Sequence, residues 1–115
     1  MTEPQAPGLP GLNLVMLVGR VSSRRGMTRT SRGLYVIEMQ IEQSRPGSDP
    51  SADRGKTVLA VELWGEQAER MDRSLEVGCA VYVEGWLASR SYEDHNRVRR
   101  HMMVVRTNRC ELLGT

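Results

Sequence analysis

Apolar and polar residues alternate with a period of two along much of this chain, and the alternating runs end at glycines or polar clusters. In Leu34–Gln43, Ile37, Met39 and Ile41 fall on one face and Glu38, Gln40 and Glu42 on the other, the pattern of a half-buried strand. Lys56–Trp64 repeats it, with Leu59, Val61 and Leu63 set against Val58, Glu62 and Trp64. Ala80–Arg90 does so again, with Val81, Val83, Gly85 and Leu87 set against Tyr82, Glu84 and Trp86. Leu12–Val21 is more continuously apolar, which predicts a strand buried on both faces early and bending at Gly19. Arg99–Leu113 reads as a long last strand whose apolar centre is Met102 to Val105, with the two methionines as core and interface filler. Thr30–Gly33 reads as a turn and the YEDHNR segment as a polar hairpin tip.

One stretch breaks the period of two. Between Gly65 and Gly78, Ala68, Met71 and Leu75 recur at helical spacing. Glu66 and Glu69 stand in the first turn, where the helix dipole favours acids, and Gly78 supplies a stop. All five prolines lie in two places, Pro4, Pro7 and Pro10 near the start and Pro46 and Pro50 in the middle. This predicts a flexible tail over residues 1–11, a long exposed loop from Ser44 to Gly55, and one folded domain over 12–115. Three strands, one helix and two strands in about a hundred residues predict an all-β OB-fold, a five-stranded Greek-key barrel with its helix between strands three and four.

A chain of 115 residues allows a single core and excludes a large interdomain cleft. No apolar run reaches the ~18 residues of a membrane span, and the first residues lack the basic and apolar blocks of a secretory signal. The expected location is the cytoplasm, on the nucleoid if the partner is DNA. Cys79 and Cys110 form no CxxC pair and read as buried reduced thiols. His95 and His101 have no ligand-pair spacing with them, so neither a metal nor any other cofactor is expected. Nucleophile-elbow, HExxH, P-loop and dinucleotide motifs are missing, and Glu66, Glu69 and Asp72 read as a solvated helix face, so no enzyme is expected.

Net charge is only +2, yet the charge is segregated. Lys56 is the single lysine among 16 basic residues; the rest are arginine, whose planar fork grips phosphate and stacks on flat faces. Arg20, Arg24, Arg25, Arg29 and Arg32 form one acid-free segment, and Arg97, Arg99, Arg100, Arg106 and Arg109 another. If the two meet in space they form a face for a polyanion.

The segments LNLVMLVGRV and VELWGEQAERMDRSLEVGCAVYVEGWLASRSYEDHNRVRRH resemble the bacterial single-stranded DNA-binding proteins. The shared marks are Val18-Gly19, Trp64-Gly65 opening the helix, Val81 to Gly85, and Ser89 to Asp94. The resemblance spans residues 12 to 113 and implies an oligomerising OB-fold, expected as a homotetramer with a dimer as the alternative. It implies binding of single-stranded DNA without sequence preference, in replication, recombination or repair, with replication or repair proteins as further partners. By family position Trp64 and Tyr92 match base-stacking aromatics and Arg90 a basic residue of the same strand. Arg97, Arg99 and Arg100 flank the hairpin tip, and Arg29 and Arg32 complete the candidate DNA-binding set.

The chain departs from the family in several places. Two further stacking aromatics are missing, near Gln43 to Arg45 and at Val58, and Arg24-Arg25 stands where the family has Asp-Pro. The acidic, apolar C-terminal extension is not expected, which makes this a short form like the dimeric primosomal replication proteins. A restart factor acting mainly through protein contacts is therefore the alternative function, and an OB-fold RNA-binding factor a third. Trp64 is open to an interface reading, and Tyr82 and Trp86 read as a subunit contact more readily than a DNA platform.

Overall fold

The computed structural model describes residues 11–44 and 55–114. The expected tail, apart from Gly11, and the interior of the Ser44–Gly55 loop lie outside the described residues. The elements are β1 (Val15–Arg24), β2 (Thr28–Arg29), β3 (Tyr35–Ser44), β4 (Lys56–Trp64), α1 (Glu66–Met71), β5 (Ala80–Glu93) and β6 (Arg99–Gly114). The long strands run in the order β1-β5-β6-β4-β3, and β1 pairs with β3 to close the ring. β2 is a two-residue addition to the β3 edge. The result is the predicted five-stranded barrel, with the helix between the third and fourth long strands. Among the described residues only β4–β6 pairs in parallel.

Closure depends on β1 serving two partners. Val15 to Arg20 pair with β5 and Arg20 to Arg24 with β3. At the crossover a Cβ on Gly19 would lie 2.5 Å from Ile41 Cγ2 and 2.7 Å from the Glu42 carbonyl oxygen. Only glycine fits at that close approach, so the role of Gly19 is steric, while the irregularity of β1 falls between Val21 and Ser23. Inside the ring, Val21, Ile37, Ile41, Val61, Leu63, Val81, Val83 and Val105 are almost wholly buried. Each side chain of this size contributes about 1.5–3 kcal/mol on burial.

Three expectations need correction, and the burial of one acid adds to them. The first strand is not buried on both faces: Leu17 and Val21 enter the core, but Leu12, Leu14, Met16 and Val18 are exposed. A single barrel has only one interior, so the second apolar face has nothing within the chain to pack on. The helix is shorter than the Gly65–Gly78 span, ending at Met71 with Asp72 as its C-cap. Arg24 accounts for the stop, since its Nη1 donates to the carbonyls of Asp72 (2.8 Å) and Leu75 (2.9 Å). Its Nη2 pairs with Asp72 Oδ1 at 2.7 Å. Ala68, Met71 and Leu75 still face the core. Met103 is exposed and Met102 half-buried, so neither is a core methionine. They lie where the β5–β6 hairpin runs past the barrel, beyond Ala88, with no core beneath it. Finally Glu62, on the outward face of β4, is only 2% exposed.

Cys79 and Cys110 are buried and unbonded, as expected. Burial, assisted by the nearby Cys79, pushes the Cys110 thiol from its ordinary 9.0 up to about 11. A raised folded-state value means that this contribution to stability is complete below about pH 9 and lost as pH rises through about 11. Iodoacetamide at pH 8 should leave both thiols unlabelled in the fold and modify both in denaturant, with labelling read by mass spectrometry.

Candidate nucleic-acid interface

The outer faces of all five long strands border a groove of about 520 Å³. Ser23, Arg24 and Arg25 come to it from β1 and the residue after it, Glu38 and Gln40 from β3, Ala60 and Glu62 from β4, Arg90 and Tyr92 from β5, and Met102 and Val104 from β6. Arg24 and Arg25 of the first basic segment thus border the same groove as Arg90 and Tyr92, but none of Arg97, Arg99, Arg100, Arg106 and Arg109 is among its lining residues.

Register explains the electrostatics of its floor. Glu38 lies directly opposite Glu62, Glu62 opposite Arg106, and Arg106 opposite Trp86. Like charges facing each other across two strands are unfavourable unless a cation joins them. Arg90 supplies it: its Nη1 donates to Glu38 Oε1 and to Glu62 Oε2, each at 2.8 Å. Arg106 Nε lies 3.4 Å from Glu62 Oε1. Burial works against the charge on Arg90, but the hydrogen bond to Glu62 and the charge of Glu38 outweigh it and raise its pKa above the ordinary value. Arg25 adds a looser contact, 3.9 Å from Glu38.

Trp64 closes this cluster at the end of β4. Its indole Nε1 donates to Glu62 Oε1 at 3.2 Å. The Arg106 guanidinium stacks on the ring, with Cζ 5.0 Å from the centroid. The indole is thus held at one edge and covered on one face. Tyr92 is 44% exposed and opposite Arg100 in the hairpin, and its side chain makes no hydrogen bond among the described residues.

The hairpin tip is built by Asp94. Its Oδ1 accepts from the amides of Asn96 and Val98, each at 2.9 Å, and Oδ2 accepts from Arg100 Nε at 2.8 Å. These bonds, Arg100 foremost, hold the Asp94 carboxyl below its ordinary 3.8. The stabilisation is therefore present above that value and lost as pH falls through the depressed one. An NMR titration of Asp94 should give a midpoint below 3.8, and Arg100→Ala should return it toward that figure. Arg97 takes a left-handed φ of 61° at the tip and, among the described residues, has no ion-pair partner. Arg99 Nη1 donates to Ser91 Oγ at 3.1 Å.

The candidate residues do not all converge. Arg90 and Tyr92 line the groove, Trp64 adjoins it through Glu62, and Arg97, Arg99 and Arg100 extend along the hairpin. Arg29 and Arg32 are not among its lining residues. Arg29 stacks on Tyr35, 5.0 Å from its centroid, and donates to the Gly33 carbonyl. Arg32 is exposed in the adjacent turn. Arg24 and Arg20 make structural contacts, Arg20 with the Gly78 carbonyl at 2.9 Å. Sequence reasoning missed Glu38, Glu62 and Arg106 as members of the site. The available signal was Glu62 itself, one acid inside the apolar run VLAVELW, which requires a charged partner once buried.

The model of the Single-strand binding protein family matches residues 12–113. The chain is 33% identical over 89 residues to the single-stranded DNA-binding protein of Halalkalibacterium halodurans, covering 77% of this chain and 52% of that protein. It is 28% identical over 102 residues to single-stranded DNA-binding protein A of Bacillus subtilis, covering 89% and 59%. The crystal structure of the wild-type single-stranded DNA binding protein from Thermus aquaticus superposes with a TM-score of 0.70 at 30% identity, covering 90% of this chain and 50% of that one. The chain thus spans about half the length of relatives it matches. The family model covers residues 12–113, most of the chain, and the barrel is of the same fold as the Thermus aquaticus structure, so the chain belongs to the single-strand binding protein family.

Proposed function

We propose that this chain binds single-stranded DNA without reading its sequence, in DNA replication, recombination or repair. The observation that carries this reading is the groove on the outer face of a family barrel, with Tyr92 exposed on its wall and Trp64 beside its floor. Sequence-independent binding combines aromatic faces for bases with cations that track the backbone. Trp64 and Tyr92 supply the faces. Arg97, Arg99 and Arg100 supply phosphate contacts along the hairpin, and Arg29 and Arg32, outside the groove lining, supply further ones. Arg90 acts at the floor, through the carboxylates it holds.

The same proposal includes self-association, as a homotetramer with a dimer as the alternative. Leu12, Leu14, Met16 and Val18 expose a continuous apolar strip, and Val18 lies opposite Tyr82 on β5. An uncovered strip of this kind fits an isologous contact with a second copy. Met16→Glu should lower the solution mass measured by light scattering while leaving the circular dichroism spectrum unchanged.

The DNA reading is tested by anisotropy with a labelled dT oligomer, an rU oligomer and a duplex of equal length. Binding to dT should exceed binding to duplex, and log K should fall with log salt by roughly 0.7 per phosphate contact. Equal affinity for dT and duplex at ~0.2 M salt would contradict it; preference for rU would favour an RNA-binding role.

A further inference from the structure

The floor of the groove raises a problem. A surface meant to attract a polyanion carries two carboxylates at its centre, and one of them, Glu62, is 2% exposed. Both are spent on guanidinium groups: Arg90 on Glu38 and Glu62, Arg106 on Glu62 and on the face of Trp64. Both carboxylates bond the same nitrogen, Arg90 Nη1, each at 2.8 Å, so that donor is occupied and the charge is balanced from within. The two arginines nearest the proposed stacking platform are thus neutralised from within, whereas Arg97 at the hairpin tip has no ion-pair partner among the described residues, and Arg99 bonds only a neutral hydroxyl.

We infer that Glu38 and Glu62 are specificity-determining residues: internal counter-anions that exclude phosphate from the floor of the groove and so favour single strands over duplex. The inference rests on the DNA-binding reading above and deepens it. A single strand can turn its bases toward the floor and keep its phosphates at the hairpin. A duplex presents phosphates outward on every side, and at this floor they meet two carboxylates already balanced by Arg90 and Arg106, with Arg25, 3.9 Å from Glu38, the more loosely held cation among the described residues. Glu62 has a second task, since its Oε1 also holds the Trp64 indole through Nε1. Glutamine at that position keeps an oxygen acceptor for the indole and removes the charge.

The test uses the full chain with Glu38→Gln, Glu62→Gln and the double variant, titrated against dT and duplex oligomers from low to moderate salt. With the carboxylates neutral, Arg90 and Arg106 become available to phosphate. Each freed guanidinium should steepen the salt slope by roughly 0.7 on single strands and 0.9 on duplex. At ~50 mM salt, duplex affinity should rise about tenfold per freed contact, so that the preference for dT shrinks. Unchanged slopes and an unchanged dT-to-duplex ratio in a folded double variant would overturn the inference, leaving the acids a purely structural role. If the double variant does not fold, Glu38→Gln decides alone, because Glu38 is the more exposed acid and its loss leaves one carboxylate, Glu62, to balance both Arg90 and Arg106, half of the charge change of the double variant. That variant must then show the same change at about half the size, and an unchanged slope would overturn the inference equally. The two readings fail differently. A wild-type chain that does not bind dT refutes the DNA reading itself, whereas a wild-type chain that binds dT beside variants of unaltered slope refutes only the role of the acids.

Discussion

Trp64→Ala is expected to weaken dT binding by about 5- to 150-fold, the loss of one base-stacking face at ~1–3 kcal/mol. The fold should survive the change. Glu62 loses the indole N–H but keeps Arg90 and Arg106, so no buried charge is left without a partner. Trp64→Phe should restore most of the affinity, because a base stacks on the ring face and not on the nitrogen. Tyr92→Ala should act in the same direction with less disturbance, since the Tyr92 side chain makes no hydrogen bond among the described residues. Anisotropy titrations at fixed salt measure all three. If Trp64→Ala leaves dT affinity intact and instead changes the solution mass, Trp64 is an interface residue, and the strand runs along the hairpin arginines without it.

Gly85→Ala is expected to cost the fold about 3 kcal/mol or more, at the upper end of overpacking effects. A Cβ there would lie 1.9 Å from the Arg106 carbonyl oxygen, 2.8 Å from its carbon and 2.9 Å from Thr107 Cα. All three atoms are backbone, so no side-chain rotation relieves the clash. The close approach arises at a bulge: Glu84 pairs with Arg109 and Gly85 with Thr107, leaving Asn108 as the extra residue of β6. The bulge is fixed from the helix as well. The Gln67 amide, oriented to satisfy its neighbours, donates to the Thr107 carbonyl at 3.0 Å and accepts from the Cys110 amide at 2.9 Å. Alanine at position 85 must therefore part β5 from β6 beside Arg106, the residue that covers Trp64. Thermal melting should show a fall of more than about 10 °C. Gly26→Ala, where an added Cβ meets nothing within 4 Å, should melt near the wild-type temperature.

The fold was legible because its determinants are local. Alternation in Leu34–Gln43 and Lys56–Trp64 depends only on neighbouring residues, and the observed strands keep those limits to within about one residue. The helix was overextended because its end is set by Arg24, 48 positions away from Asp72 in the chain. No local signal reports a contact at that distance. The candidate site divides in the same way. Trp64, Tyr92 and the hairpin arginines were visible through family position and the order of residues at the tip. The Glu38–Glu62–Arg90–Arg106 cluster was not, because it depends on the register of four strands, and a shift of one residue in any of them would disperse it. The apolar face of β1 is legible as more than one small barrel can bury, but periodicity alone does not distinguish burial within a chain from burial against a second copy.

The most direct test is the emission of Trp64 during a titration with dT. A Trp86→Phe variant leaves Trp64 as the only tryptophan. Its fluorescence should be quenched saturably as bases replace solvent or Arg106 on the indole, recover as salt is raised, and respond little to a duplex of the same length. Unchanged Trp64 emission while anisotropy shows dT bound, or equal quenching by duplex, would contradict base stacking on this residue.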